Sequence, residues 1–233
     1  MVERSAVETE RMTTLKPIKN QLQDLTPAKA RIIARLKGDG AIFRSGTNYI
    51  IKYEVKDKEQ LKSFENDVKE VFGLNMKWLK HRSGITGKLL DLVWLRSKLA
   101  FEDLNKFGKF RSENRNIPKE VFKSTREVKK EFIKAFFDDE GSVIIGNKEI
   151  RLYSTNKNGL QEMKNLLNEF NIKSKLRSGY GKKRNVFALV IKDIESIKNF
   201  ANNIGFDLER KQTKLSNILS ISAKGEHCLV FAA

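Results

Sequence analysis

The chain has 233 residues, 46 Lys plus Arg against 29 Asp plus Glu, and a net charge of +17. Apolar side chains make up 39%, enough for a packed core and too many for wholesale disorder. No apolar run reaches the roughly 18 residues of a membrane span, the polar opening MVERSAVETER does not read as a leader, and the lone Cys228 allows no intramolecular disulfide. These features point to a reducing, intracellular setting, whether cytoplasm, nucleoid or organelle, without a membrane partner.

Taken in order, residues 1–25 are an extension with no legible structure. The first element is a helix opening at Thr26-Pro27, a capping residue followed by Pro at the first helical position. It ends at Asp39-Gly40. TNYIIKYEV reads as a strand. Leu61, Phe64, Val68 and Val71 then recur in steps of three and four, the stripe of an amphipathic helix. NMKWLKHRSG is a basic strand running into a Gly turn, LLDLVWL is an apolar strand, and a short helix ends at Gly108.

The pattern then repeats. A second helix, from Ser124, ends at Glu140-Gly141. NKEIRLYS is its strand, and Leu160, Met163, Leu167 and Phe170 copy the first stripe at an offset of 99 residues. KSKLRSGYGK, NVFALVI and a helix ending at Gly205 complete it. Turns fall at RSGTN, IIGNKE, HRSGITG and SGYGKK. The expected fold is α/β (α+β), two αββαββα repeats over 26–125 and 126–233, with Pro118 starting a helix in the charged link.

A basic surface attracts phosphate backbones, so nucleic acid is the leading partner. The two head helices say more. Ala34 and Gly38 lie four apart on one face of the first, and Ala135 matches Ala34 in the second. Small residues on one face let helices approach closely. Packed together, the helices would bring their terminal acids side by side. Two carboxylates facing a phosphodiester make a site for Mg²⁺, which keeps water and substrate oxygens as its other ligands.

IIARLKGDG and FIKAFFDDEG resemble the paired motifs of the LAGLIDADG homing endonucleases, in a single-chain, two-motif arrangement that covers nearly the whole chain after the extension. The resemblance implies a pseudo-two-fold saddle of antiparallel sheets that straddles double-stranded DNA as a monomer. It implies cleavage of both strands of a long asymmetric site. It makes Asp39 and Glu140 the metal-binding acids for Mg²⁺, with Mn²⁺ or Ca²⁺ as alternatives, assisted by the backbone carbonyls of Gly38 and Asp139. It places a basic residue near each scissile phosphate, for which Lys109 and Lys211 are the nearest candidates, with Gln212 beside them. Arg35 and Lys37 depart from the family pattern. The same fold also serves as an RNA maturase acting on intron RNA, or as a non-cleaving nucleic-acid binder. The opening Met and the lack of intein splicing blocks favour an intron-encoded or free-standing protein.

Alternation in the strands supplies candidate DNA contacts. These are Lys52, Lys80 and Arg82 in the first repeat, Arg151, Tyr153, Lys173, Lys175 and Arg177 in the second, and Lys182, Lys183 and Arg184 in the turn GKKRN. Trp78, Trp94 and the phenylalanines read as core. Asp138 and Asp139 point in different directions from Glu140, so the three are not one ligand set. His81 and His227 with one Cys give no zinc spacing.

Overall fold

The computed structural model describes residues 24–82, 87, 89–110, 116–181 and 184–230. Residues 1–23 of the extension and the turn residues Lys182 and Lys183 lie outside them, as does most of the HRSGITG turn. The first repeat runs α1 (Pro27–Lys37), β1 (Gly40–Ser45), β2 (Asn48–Glu54), α2 (Lys58–Phe72), β3 (Lys77–Arg82), β4 (Leu89–Arg96) and α3 (Lys98–Asn105). A single-turn helix, α4 (Lys119–Lys123), follows Pro118. The second runs α5 (Arg126–Glu140), β5 (Gly141–Ile144), β6 (Glu149–Ser154), α6 (Lys157–Asn168), β7 (Lys175–Tyr180), β8 (Val186–Ile191) and α7 (Ile194–Asn203). A long helix, α8 (Glu209–Val230), follows and is not expected from the sequence.

Both sheets are antiparallel, in the orders β1-β2-β4-β3 and β5-β6-β8-β7. Their registers match across the repeat. Gly40 pairs with Tyr53, and Gly141 with Leu152. The two amphipathic stripes of α2 and α6 are buried as the periodicity requires. Helix starts follow the capping rule: Thr26 Oγ1 accepts from the Lys29 N–H and Thr125 Oγ1 from the Val128 N–H.

Helices α1 and α5 pack against each other at the centre. Burial around α1 is nearly complete, charged residues included. Buried charge is tolerable only when paired. Lys29 meets Asp103 at 2.7 Å, with both side chains enclosed. Arg31 and Arg35 share Asp67, and Arg31 also reaches Glu131 on α5 at 2.9 Å. Arg35, which departs from the family pattern, thus turns toward Asp67 and Ser63 of α2.

Register divides the basic strand residues between two faces. Ile51, Tyr53, Val93 and Leu95 face the helices. Trp78 pairs with Val93, so Trp78, Lys80 and Arg82 share that helix-side face at the sheet edge. The Trp78 indole N–H donates to Glu65 of α2 at 3.2 Å. Lys52 lies on the opposite, open face with Trp94 and Lys77. The core assignment of the aromatics therefore fails for three of them. Trp78 and Phe43 are exposed, and Trp94 sits on the open face beneath the Arg96 guanidinium. A strand's period of two separates its faces without revealing which one is covered.

In the second sheet Arg151, Tyr153, Lys175 and Arg177 do share the open face, since they pair through Val190 and Ala188. Lys173 precedes β7, and Lys173 and Arg184 are exposed. Among the described residues no helix is long and apolar enough to cross a membrane.

Candidate active site at the paired helix ends

The C-termini of α1 and α5 meet at Gly38. A Cβ added there would lie 2.6 Å from Asp139 Oδ2 and 2.9 Å from Asp139 Cβ. Hydrogen is thus the only side chain that fits at this crossing. Gly38→Ala is expected to destabilise the fold by about 1–3 kcal/mol, and Asp139→Gly to recover most of that loss. Denaturant midpoints check both, and an unshifted Gly38→Ala midpoint would refute the tight crossing.

The glycines of the acid-Gly pairs have a different cause. Each chain leaves its helix directly into a strand. A Cβ on Gly40 would strike the Leu36 Cα at 2.7 Å, and one on Gly141 would strike the Phe137 carbonyl. Asp39 and Glu140 therefore stand at matched positions, each immediately before the first residue of its strand. Asp39 is exposed and Glu140 half-buried.

The resemblance assigns Asp139 only a backbone carbonyl, yet its side chain is engaged as well. Its carboxyl Oδ1 accepts from the Tyr53 hydroxyl at 2.6 Å and the Gln60 amide at 2.9 Å. Its Oδ2 is buried without a hydrogen-bond partner. Burial pushes this carboxyl well above the usual range, the Tyr53 bond and Arg35 pull it down, and the Asp39 charge pushes it up again. Asp39, Asp139, Gln60, Glu54, Asp57 and Arg210 line a cavity of about 260 Å³. Arg210 is tied to Asp57 at 2.9 Å.

Tyr53 and Gln60 could have been found from the repeat. Their equivalents at the offset of 99 are Leu152 and Gly159, and Gly38 stands where the second motif has Asp139. The first repeat, which faces Asp139, carries two donors at these positions, and the second carries none.

Asp138 and Lys37 play mirrored structural roles. Asp138 accepts from the N–H groups of Asp207 and Leu208 and anchors the chain entering α8. Burial raises its pKa to about 6. Lys37 donates to the Lys109 carbonyl at 3.1 Å, anchoring the link after α3. Burial lowers its pKa to about 8. The Lys109 side chain itself is exposed. Lys211 is buried, and its ammonium donates to the carbonyls of Phe137 and Asp138. It thereby closes the C-terminus of α5, where a cation is favoured. Burial lowers its pKa to about 8, against the opposing charges of Asp138, Asp139 and Asp39. Gln212 Oε1 is taken by the Phe206 N–H.

Among the described residues no three His, Cys, Asp or Glu side chains gather as a metal cage. A pair of hard-oxygen acids fits an ion that completes its shell from water and phosphate.

Residues 127–205, the body of the second repeat, match the LAGLIDADG-like domain family. Through this repeat the chain is similar to the LAGLIDADG family. It has the fold of that family's homing endonucleases. It superposes on I-DmoI in complex with DNA and Ca with a TM-score of 0.61 at 15% identity, covering 83% of this chain and 99% of the other. For I-WcaI bound to its DNA recognition sequence the TM-score is 0.59 at 18% identity, covering 84% and 89%. For full-length DUF199/WhiA from Thermatoga maritima the TM-score is 0.57 at 14% identity, covering 88% and 65%.

By sequence, the chain is 29% identical over 198 residues to the probable translation initiation factor IF-2 of Methanocaldococcus jannaschii, covering 81% of this chain and 16% of that protein. It is 29% identical over 204 residues to the same organism's glutamine–fructose-6-phosphate aminotransferase, covering 84% and 18%. It is 31% identical over 131 residues to its replication factor C small subunit, covering 54% and 7%. The chain thus spans less than a fifth of each of these three relatives.

Proposed function

We propose that this protein is a monomeric, site-specific endonuclease that hydrolyses both strands of a long, asymmetric double-stranded DNA site with divalent metal. The observation that carries the reading is the Gly38–Asp139 crossing, which holds two acid-Gly helix ends together on a strongly basic chain. Fold neighbours bound to DNA and to Ca support it. So does the setting of the relatives: similar segments occupy small parts of an initiation factor, an aminotransferase and a replication subunit. Those proteins share no chemistry, so the common segment is a unit independent of its surroundings. A unit that cuts DNA at a vacant insertion locus has a means of spreading.

Asp39 and Glu140, with the carbonyls of Gly38 and Asp139, would hold the ion. When bound, it would supply charge neutralisation at the phosphate and a more acidic water. The chain's own residues do the rest. Tyr53 and Gln60 fix Asp139, Lys211 closes the end of α5, and both together set where Asp39 and Glu140 stand. The basic open faces of the sheets hold the duplex backbone.

The test is a plasmid carrying the insertion-free locus of a host gene, incubated with Mg²⁺ or with EDTA. One linear product that EDTA abolishes is expected. A second reading on the same fold is a non-cleaving binder. No cut together with salt-sensitive DNA binding would establish that reading, and tighter binding to intron RNA would make the protein a maturase.

A further inference from the structure

One buried acid on the open face of the second sheet is used by nothing described so far. Glu149 begins β6 and is almost fully enclosed. Long cationic side chains cover it, rather than the core. Its Oε2 accepts from Arg151 Nε at 2.7 Å and from Arg151 Nη2. Its Oε1 faces Lys192 at 3.3 Å and Arg177 at 3.8 Å. Burial works against the charge, but Arg151 and Lys192 hold its pKa below the usual carboxylate range.

Arg151 is held from three sides. Beyond Glu149, its Nη1 donates to the Tyr153 hydroxyl at 3.2 Å. The Tyr180 ring lies 5.8 Å from the guanidinium and packs edge-on against Tyr153. Tyr180 reaches this place through the irregular register after Arg177. A guanidinium has five N–H donors. Three are engaged here, so one N–H remains on each Nη. A guanidinium with a spare donor on each Nη is the side chain that pairs with the O6 and N7 acceptors of guanine in the major groove.

Among the described residues the first repeat has no such device. Ile50 stands where the second repeat has Glu149, and Lys52 pairs with Glu54 at 2.6 Å. A lysine ammonium is a point charge without a fork.

We infer that Arg151 reads one guanine of the target in the half-site under the second sheet, and that Glu149 is the positioning residue that aims it. Lys192 and Arg177, with exposed heads and longer contacts to Glu149, are free to turn to phosphates. The inference rests on the DNA-binding part of the proposed function and needs no cleavage.

The experiment is selection from a randomised DNA duplex library by the full chain in Ca²⁺, with enrichment read base by base. Wild type is expected to show one guanine preferred by about tenfold or more. Arg151→Lys should remove that preference, and Glu149→Gln should weaken it, with all other positions unchanged. Tyr153→Phe, which leaves the Glu149–Arg151 pair whole, should weaken the same position by less. Total affinity for unrelated duplex should stay level or rise in Glu149→Gln, because a negative charge is lost. A uniform loss across all positions would make Glu149 merely structural and overturn the inference. So would an unchanged profile in Arg151→Lys. A wild-type chain that binds DNA but enriches no sequence would overturn both this inference and site specificity, and one that binds no DNA would overturn the function proposed above as well.

Discussion

Asp39→Asn is expected to lower the rate of DNA cleavage by at least about 100-fold, the scale seen when one charge-stabilising group is taken from a reacting centre. Binding to the same DNA in Ca²⁺ should change by less than about threefold, since the basic sheet faces and not this acid supply the phosphate contacts. Asp39 is exposed and lies outside the core, so folding stability should move by no more than about 0.5 kcal/mol. Glu140→Gln should behave alike in cleavage. The separation of effects is what matters: loss of cutting with binding and folding kept assigns the acid to chemistry. A variant that still cuts at the wild-type rate in Mg²⁺ would remove Asp39 from the site. Plasmid cleavage time courses beside gel-shift titrations and a thermal melt measure all three quantities.

Much of this site is legible in the amino-acid sequence. The repeat at an offset of 99 locates both helix ends, because apolar steps of three and four are a strong signal and survive sequence divergence. Acid-Gly pairs at the ends of the two helices then place Asp39 and Glu140. Long-range polar pairing is not legible. Tyr53 and Gln60 look like a strand aromatic and a helix surface amide until Asp139 is brought to them from 86 and 79 residues away. The open face of the first sheet is hidden for a related reason. Alternation in KWLKHR sorts Trp78, Lys80 and Arg82 together, yet only the pairing of Trp78 with Val93 shows that this set turns toward the helices. Helix α8 escapes notice because its buried face is narrow. Among its described side chains Lys211, Leu215 and Ile218 are enclosed, and Leu219 packs partly buried beside them.

Asp67→Ala should be the most damaging single substitution for stability, by about 3–5 kcal/mol, because it removes the one carboxylate shared by two arginines. Arg31 is partly exposed and retains Glu131. Arg35 is enclosed and would keep only the Ser63 hydroxyl, at 3.0 Å. An uncompensated buried guanidinium cannot shed its charge by deprotonation, so the full desolvation penalty falls on the folded state. For a chain of this length that loss corresponds to a fall in Tm of about 6–20 °C. Arg35→Met should cost much less, since Asp67 keeps Arg31 at 2.6 Å. Ionising Asp67 is itself unfavourable in the fold: burial pushes its carboxyl above its ordinary pKa despite both arginines. A raised acid pKa means that ionising Asp67 is harder in the folded chain than in the unfolded one. Its contribution therefore weakens stability as pH rises from the unfolded value through the folded one. An apolar replacement of the pair, Arg35→Met with Asp67→Leu, should for that reason recover most of the loss seen in Asp67→Ala. Denaturant titrations of the three variants decide the matter. If Asp67→Ala cost under 1 kcal/mol, or if the double variant were no more stable than Asp67→Ala, the buried Arg35 charge would not be what the carboxylate holds in place.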